Sequence, residues 1–336
     1  MDNIFTTRRN KILLLIFAFI TLLIISYFSI ILGFLKTSFS TLIEALTNFN
    51  NSQEHIILLT SRIPRTINAI LVGSALSVSG LTLQSLTKNP LSSPSVLGVN
   101  SGAALFLVLF LTSFPSLSWS MLSIIAFLGA LFTCIVVFLM AGGLRGQVIP
   151  LDLTLSGSAI GALFFSLTQG ILYKHQTALE EVLFWMTGSV EGKSLNFIVT
   201  LAPFILILLI LILFLGKSFN LFSLGEEMAS SLGMNTFGFK ILVLFITAIL
   251  CGLSVTLAGP ISFIGLITPH IVKKFIGSDF RWLLPFSALL GSIILVLSDL
   301  LSRFIIYPKE LPVGAVTALI GGPFFIYLSR KGNHND

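Results

Sequence analysis

Two arginines stand three positions apart in the run Arg62-Ile63-Pro64-Arg65, and a third, Arg303, follows Asp299 by four. A guanidinium offers a planar fork that matches a carboxylate. Such a set therefore suits charge pairing with an acidic partner more than bond-making chemistry. The same residues would also serve as basic anchors that snorkel to a membrane surface, and spacing alone leaves both readings open. Asp299 and Arg303 can meet on one helix face at i,i+4. That favours a structural ion pair, or a docking arginine steadied by its acid, over a proton relay. His270, a lone histidine in its segment, reads as a packed or capping residue rather than a ligand or proton carrier. Cys134 and Cys251 sit inside apolar runs without ligand spacing, so neither a disulfide nor a zinc site is expected. Gly216-Lys217-Ser218 imitates the end of a phosphate-binding loop, but Leu211 stands where that loop requires glycine. The chain is expected to bind no ATP, metal or other cofactor, and to be no enzyme.

Two further constellations interrupt helices. Lys88-Asn89-Pro90-Leu91-Ser92-Ser93-Pro94 places two prolines four apart, a firm stop, with Gly98 and Gly102 opening the next apolar run for close packing. Gly259-Pro260-Ile261-Ser262-Phe263-Ile264-Gly265 continues to Pro269, which puts four helix breakers at membrane depth. Backbone broken there must be buried in protein or face water. Asn89, Pro90, Pro94, Gly259, Pro260, Gly265 and Pro269 are thus the candidates for a helix-break or gating role. The echo of Asn89-Pro90-Leu91-Ser92 in Gly259-Pro260-Ile261-Ser262, in opposite orientation, is what an inverted repeat would leave. Gly225-Glu226-Glu227 through Gly233 predicts a short helix with acids at its positive end and a glycine after its last turn. Leu224, Met228 and Leu232 would form its apolar stripe, against either the bilayer or a groove of a soluble protein.

The elements that position these residues are set by composition. Of 336 residues 55% are hydrophobic and 10% charged, with a mean hydropathy of +1.03. That excludes a water-soluble fold. A bilayer crossing takes about 20 apolar residues, and ten runs qualify: 12–35, 66–86, 97–113, 119–141, 153–173, 197–216, 239–258, 261–276, 284–304 and 313–329. The expected fold is an all-α polytopic membrane protein of about ten helices, one transmembrane domain over 1–336. With the start inside, about 12 of the 19 basic residues fall on the cytoplasmic side, as the positive-inside rule demands. Both termini are then cytoplasmic, and Arg62, Arg65 and Arg303 are outer residues that break the rule. The net charge of +6 is scattered at the ends of apolar runs rather than gathered for nucleic acid. Residues 36–65 and 174–196 read as outer segments, the first with Ser38, Ser40 and Thr41 as caps for a short surface helix. Residues 217–238 form the main cytoplasmic one.

Taken in order, Arg62-x-Pro64-Arg65, Gly73, Gly80, Asn89-Pro90-Leu91, Pro94, Leu97-Gly98, Trp185-Met186-Thr187-Gly188-Ser189, Gly225-Glu226-Glu227, Leu232-Gly233, Gly259-Pro260-Ile261, Gly265-Leu266-Ile267-x-Pro269-His270, Leu284-Pro285, Asp299, Arg303, Glu310-Leu311-Pro312-Val313-Gly314 and Gly322-Pro323 resemble the FecCD family of ABC-importer permeases. The resemblance spans essentially the whole chain. It implies ten helices per subunit, a second permease subunit, identical or paralogous, two cytoplasmic ATPase subunits and an extracytoplasmic substrate-binding protein. It implies a bacterial cell membrane location and a ferric siderophore as cargo, with haem or cobalamin as the alternative. By the same resemblance Arg62, Arg65 and Arg303 receive acidic residues of the binding protein, and Leu224, Gly225, Glu226, Glu227, Met228, Leu232 and Gly233 belong to the segment that sits on the ATPases. Gly277-Ser278-Asp279-Phe280-Arg281 departs from the family's Gly-x-Asp-His-Arg, which puts in doubt a polar contact there. The rival of another class, a proton-coupled secondary transporter, should show several intramembrane carboxylates, and Asp299 is the one clear case.

Overall fold

The computed structural model describes residues 7–33, 35, 37–146, 148–306 and 309–332. Its helices are α1 (Arg8–Ile31), α2 (Phe39–Thr47), α3 (Gln53–Ile57), α4 (Ile63–Thr87), α5 (Val99–Ser113), α6 (Trp119–Met140), α7 (Pro150–Lys174), α8 (Gln176–Met186), α9 (Leu195–Phe214), α10 (Gly216–Phe222), α11 (Glu226–Ser231), α12 (Thr236–Ala258), α13 (Ile264–Ile276), α14 (Phe280–Ser302) and α15 (Val313–Gly332). Seven rods are long and apolar enough to cross a bilayer: α1, the continuous Gln53–Thr87 rod, α6, α7, α9, α12 and α14. The shorter α5, α13 and α15 occupy the other three apolar runs. The chain is thus an all-α polytopic membrane protein of about ten membrane helices. The remaining helices are connections. Among them, α2 starts where expected, at Ser38, whose hydroxyl and Thr41 form a reciprocal cap.

Two boundaries differ from the sequence reading, each for a backbone reason. Pro64 was expected in a helix's first turn, yet the rod begins eleven residues earlier at Gln53. Pro64 has no N–H for the carbonyl of the preceding turn, and its ring crowds that carbonyl. The ladder widens just upstream into a π turn over Leu58–Arg62, where Ile63 N–H bonds Leu58 O. The second concerns the run 261–276. Helix begins only at Ile264, and Phe263 takes a left-handed φ of 70° as its cap. The non-helical stretch is tolerated because it is enclosed by protein: Gly259 and Ile261 are buried.

The centre of the bundle is α4, whose side chains are enclosed almost throughout. Helices α12, α13 and α14 pack on it through small residues. A Cβ on Gly73 would lie 2.5 Å from Gly291 O, and one on Gly80 would overlap the backbone of Gly265. Without a hydrophobic drive between helices in lipid, such close approach and buried hydroxyl bonds supply the association. Ser77 Oγ lies 2.6 Å from both Thr268 Oγ1 and Ser287 O, and Thr82 Oγ1 lies 3.0 Å from Thr247 Oγ1. By contrast α1 turns most of its surface outward, with Phe17 65% exposed.

Candidate functional site

One end of α4 carries the arginines. Arg62, Arg65 and Arg303 do gather, from two distant stretches of chain, but each is only about one-twentieth exposed. They are not the open cationic rim that their types suggested. A buried guanidinium without partners is too costly to persist, and each one is matched within the chain. Arg62 NH1 donates to Ile30 O at 3.1 Å, Ile31 O at 2.7 Å and Thr37 Oγ1 at 2.7 Å, and its NH2 donates to Leu35 O. Arg303 NH1 donates to Ser29 O at 2.7 Å and Leu32 O at 3.1 Å. These are the last carbonyls of α1, which have no acceptor role left inside the helix, and cations there also suit the helix dipole. Gly33 makes room: a Cβ on it would lie 2.5 Å from Arg62 NH2.

The charges balance around Asp299. Its Oδ1 accepts from Arg65 Nε at 2.7 Å and its Oδ2 from Arg303 NH2 at 2.5 Å, so the i,i+4 ion pair expected on α14 is formed and shared with α4. Arg65 NH1 reaches two more carboxylates, Glu310 at 2.5 Å and Glu191 at 3.2 Å. Asp299 is sealed, whereas Glu310 and Glu191 have side chains 37% and 50% exposed. What this end presents to its surroundings is therefore carboxylate over guanidinium. Glu191 and Glu310 carried no role in the sequence reading. Their signal was present, since acids in outer segments are natural partners for basic residues that break the positive-inside rule.

The helix breaks meet deeper in the bundle. Lys88 ends α4 in a left-handed conformation, and Asn89 Oδ1 accepts Leu91 N–H at 2.9 Å to form the turn. Pro90 stands in that turn, and Pro94 opens a short 3-10 turn. The second break begins with Gly259 at a φ of 67°, beside the carbonyl of Trp185, with Pro260 O against Gly188. Gly265 then packs between Leu76, Gly80 and Pro94, which joins the two breaks across α4. Pro269 is buried within α13. Because Asn68 bonds Leu257 O while Thr82 meets Thr247, α4 and α12 run antiparallel, and the breaks that follow them leave from opposite ends of the bundle. His270 Nδ1 lies 2.9 Å from Leu266 O, the packed role expected.

At the end opposite Arg65, α10 and α11 form the short connection between α9 and α12. Gly225 precedes α11 at a φ of 110°, and Gly233 follows it at 85°. Leu224, Met228 and Leu232 are 61%, 57% and 60% exposed, an apolar stripe with none of the described residues upon it. Glu226 faces the other way, to Lys240 Nζ at 2.6 Å, and that ammonium also donates to Val148 O at 2.9 Å. Glu226 thus fastens α11 to α12, while Glu227 stays in the first turn beside it. The loop before α14 is tied to α10. Asn220 Nδ2 donates to Asp279 Oδ1 at 2.6 Å, and Asn220 Oδ1 accepts Phe280 N–H at 2.8 Å. Arg281, together with Asn220, holds the Asp279 carboxyl well below the usual carboxylate range. Phe280 stacks on Phe219 with centroids 5.2 Å apart, so the side chain at this position packs against an apolar ring.

A helical bundle with irregular backbone enclosed in it, a charge cluster at one end and an exposed apolar stripe around α11 at the other is an architecture suited to a polytopic transport permease. The chain belongs to the FecCD transport family, which it matches over residues 21–331. Among curated relatives, "Probable siderophore transport system permease protein YfiZ" of Bacillus subtilis is 44% identical, with 90% of this chain and 91% of that one covered. "Iron(3+)-hydroxamate import system permease protein FhuB" of the same organism is 37% identical over 97% of this chain and 85% of its own. "Hemin transport system permease protein HmuU" of Yersinia pestis is 37% identical over 94% and 95%. The solved structure titled "An inward-facing conformation of a putative metal-chelate type ABC transporter" superposes with a TM-score of 0.83 at 28% identity, over 95% of this chain and 99% of that one.

Proposed function

We propose that this chain is the membrane-spanning subunit of an ATP-driven importer that carries ferric siderophores across a bacterial cell membrane. The observation that carries the reading is the pairing of family membership over nearly the whole chain with a bundle whose two ends offer different surfaces. The exposed stripe of Leu224, Met228 and Leu232 suits the groove of a cytoplasmic ATPase, one for each of two permease subunits. Closure of the ATPases would then move α11, and through the Glu226 to Lys240 bond, α12. At the other end Arg65 would receive a carboxylate of an extracytoplasmic binding protein by exchange with Glu310 or Glu191, and Asp299 would hold its guanidinium in place. Arg62 and Arg303 would support that site rather than form it. The helix breaks around Gly80, Gly265 and Pro94 would let the path change width. No tight cargo site is needed, since tight binding would slow release.

The lysine and arginine bias supports cytoplasmic termini, with α10 and α11 on the same side. Residues 1–6 and 333–336 lie outside the described residues. Growth of a deletion strain on a panel of ferric siderophores, ferric citrate, haem and cobalamin tests the cargo. Loss confined to one or more siderophores supports it, and loss confined to haem transfers the reading to the haem branch, which the likeness to HmuU favours second. A proton-coupled carrier is disfavoured because Asp299 is committed to two arginines. Uptake that persists without ATP but stops with a protonophore would refute the importer.

A further inference from the structure

The face between α1, α13 and α14 has a composition that the transport reading does not use. Near the start of α1, a cleft of about 440 Å³ is lined by Arg8, Lys11, Asp279, Arg281 and Trp282. Directly along the same helices lies a second groove, of about 340 Å³, entirely apolar in its exposed lining. Its walls include Leu14, Phe17 and Ala18 of α1, Phe275 of α13, and Phe286 and Leu290 of α14. The two are continuous in register. Lys11 is followed at helical spacing by Leu14 and Ala18, and Trp282 by Phe286 and Leu290.

We propose that this combined site holds one anionic diacyl phospholipid, its phosphate at Arg8 and Lys11 and an acyl chain in the groove. The occupant follows from charge and depth. Arg281 spends its charge on Asp279, with NH2 to Oδ2 at 2.7 Å, whereas among the described residues no carboxylate pairs with Arg8 or Lys11. Two cations remain at the polar end of a groove that faces hydrocarbon, and a tryptophan stands between, as at membrane interfaces. A zwitterionic lipid would fill the groove but leave those cations unmatched. A free phosphate would satisfy the cations but leave the groove empty. The bound lipid would brace α1 against α13 and α14 beside the loop that Asn220 ties to α10. This inference depends on the chain spanning a membrane, and not on which cargo it carries.

The test uses the full-length protein, purified from its membrane in detergent, stripped of loosely held lipid, and examined by native mass spectrometry and thermal unfolding. Phosphatidylglycerol, phosphatidylcholine and inorganic phosphate are added separately. At about fivefold per cation, phosphatidylglycerol should be retained roughly 30-fold more tightly than phosphatidylcholine, one per chain, and should raise the unfolding midpoint while phosphate does not. Arg8→Gln with Lys11→Gln should abolish the preference, and Ala18→Trp should abolish retention with the cations intact. Equal retention of the two lipids would overturn the proposal, as would protection by phosphate alone or a preference that survives the double variant. So would an Ala18→Trp spectrum in which the subunit number changes and the lipid count does not, since that assigns the groove to a second protein copy.

Discussion

Replacing Asp299 by asparagine asks whether the arginine cluster is held by one buried acid. The side chain is 1% exposed and accepts from both Arg65 and Arg303. Removing its charge leaves the two guanidiniums unequal. Arg65 keeps Glu310 and Glu191, but Arg303, also buried, loses the one carboxylate it pairs with among the described residues. Breaking a buried pair by removing one partner costs about 3–5 kcal/mol. Glu310→Gln removes a half-open contact to the same Arg65, and for a pair of that exposure the expected cost is about 0–1 kcal/mol. The ordering, more than either figure, follows from the geometry. A third variant sharpens it: Asp299→Leu with Arg303→Met removes both charges together, and similar-volume apolar replacements of buried pairs are often neutral, so it should recover much of the loss. Unfolding midpoints in detergent, together with the amount of protein in the membrane, measure all three. Should Asp299→Asn cost no more than Glu310→Gln, the cluster is not organised around Asp299 and the buried ledger of charges is wrong. The burial also bears on charge reversal of Arg62 and Arg65, which would remove one of the two arginines that cap α1, set a carboxylate against Asp299 and Glu310, and lower membrane abundance as well as uptake.

Gly80→Ala should sharply reduce folded protein, because its Cβ meets the Gly265 backbone, which cannot yield as a side chain would; Gly170→Ala, with nothing within 4 Å, is the control and should be neutral. Met228→Ser with Leu232→Ser should leave the permease folded and inserted but lower ATPase copurification and uptake; unchanged copurification would return the stripe to the bilayer surface. Glu226→Lys should act differently, by setting two ammonium groups together at Lys240 and loosening α11, seen as faster protease cutting between α10 and α12. Burial pushes the Lys193 ammonium down to about 8, below the roughly 10.4 of an open lysine. The unfolded chain then binds more protons between those values, so stability should rise with pH across about 8 to 10.4. Lys193→Met should flatten that rise, and a slope unchanged in the variant would show that Lys193 is not its source.

Much of this protein follows from the order of its residues. A bilayer cannot satisfy open backbone, so long apolar runs have to become helices, and each of the ten runs from Ile12 onward holds one, with ends that shift by several residues. The caps were equally local: Ser38 needs only Thr41 three residues on, and Gly225 and Gly233 bound a helix between them. The i,i+4 pair of Asp299 and Arg303 required nothing beyond one helix. Other features depend on residues far apart in sequence, and these only the tertiary structure decided. Arg62 looked like a surface cation because sequence cannot show that α1 ends beside it with unpaired carbonyls. Glu191 and Glu310 are brought to Arg65 from 126 and 245 positions away, a separation over which no pattern is legible. Gly265 read as a helix breaker and Gly80 only as one of the residues that carry the family resemblance, and the two became a single contact only when α13 crossed α4. The sequence by itself determined which segments are helical and which residues are charged. Burial determined what those charges do, because an ion removed from water must find its partner wherever the fold has placed one.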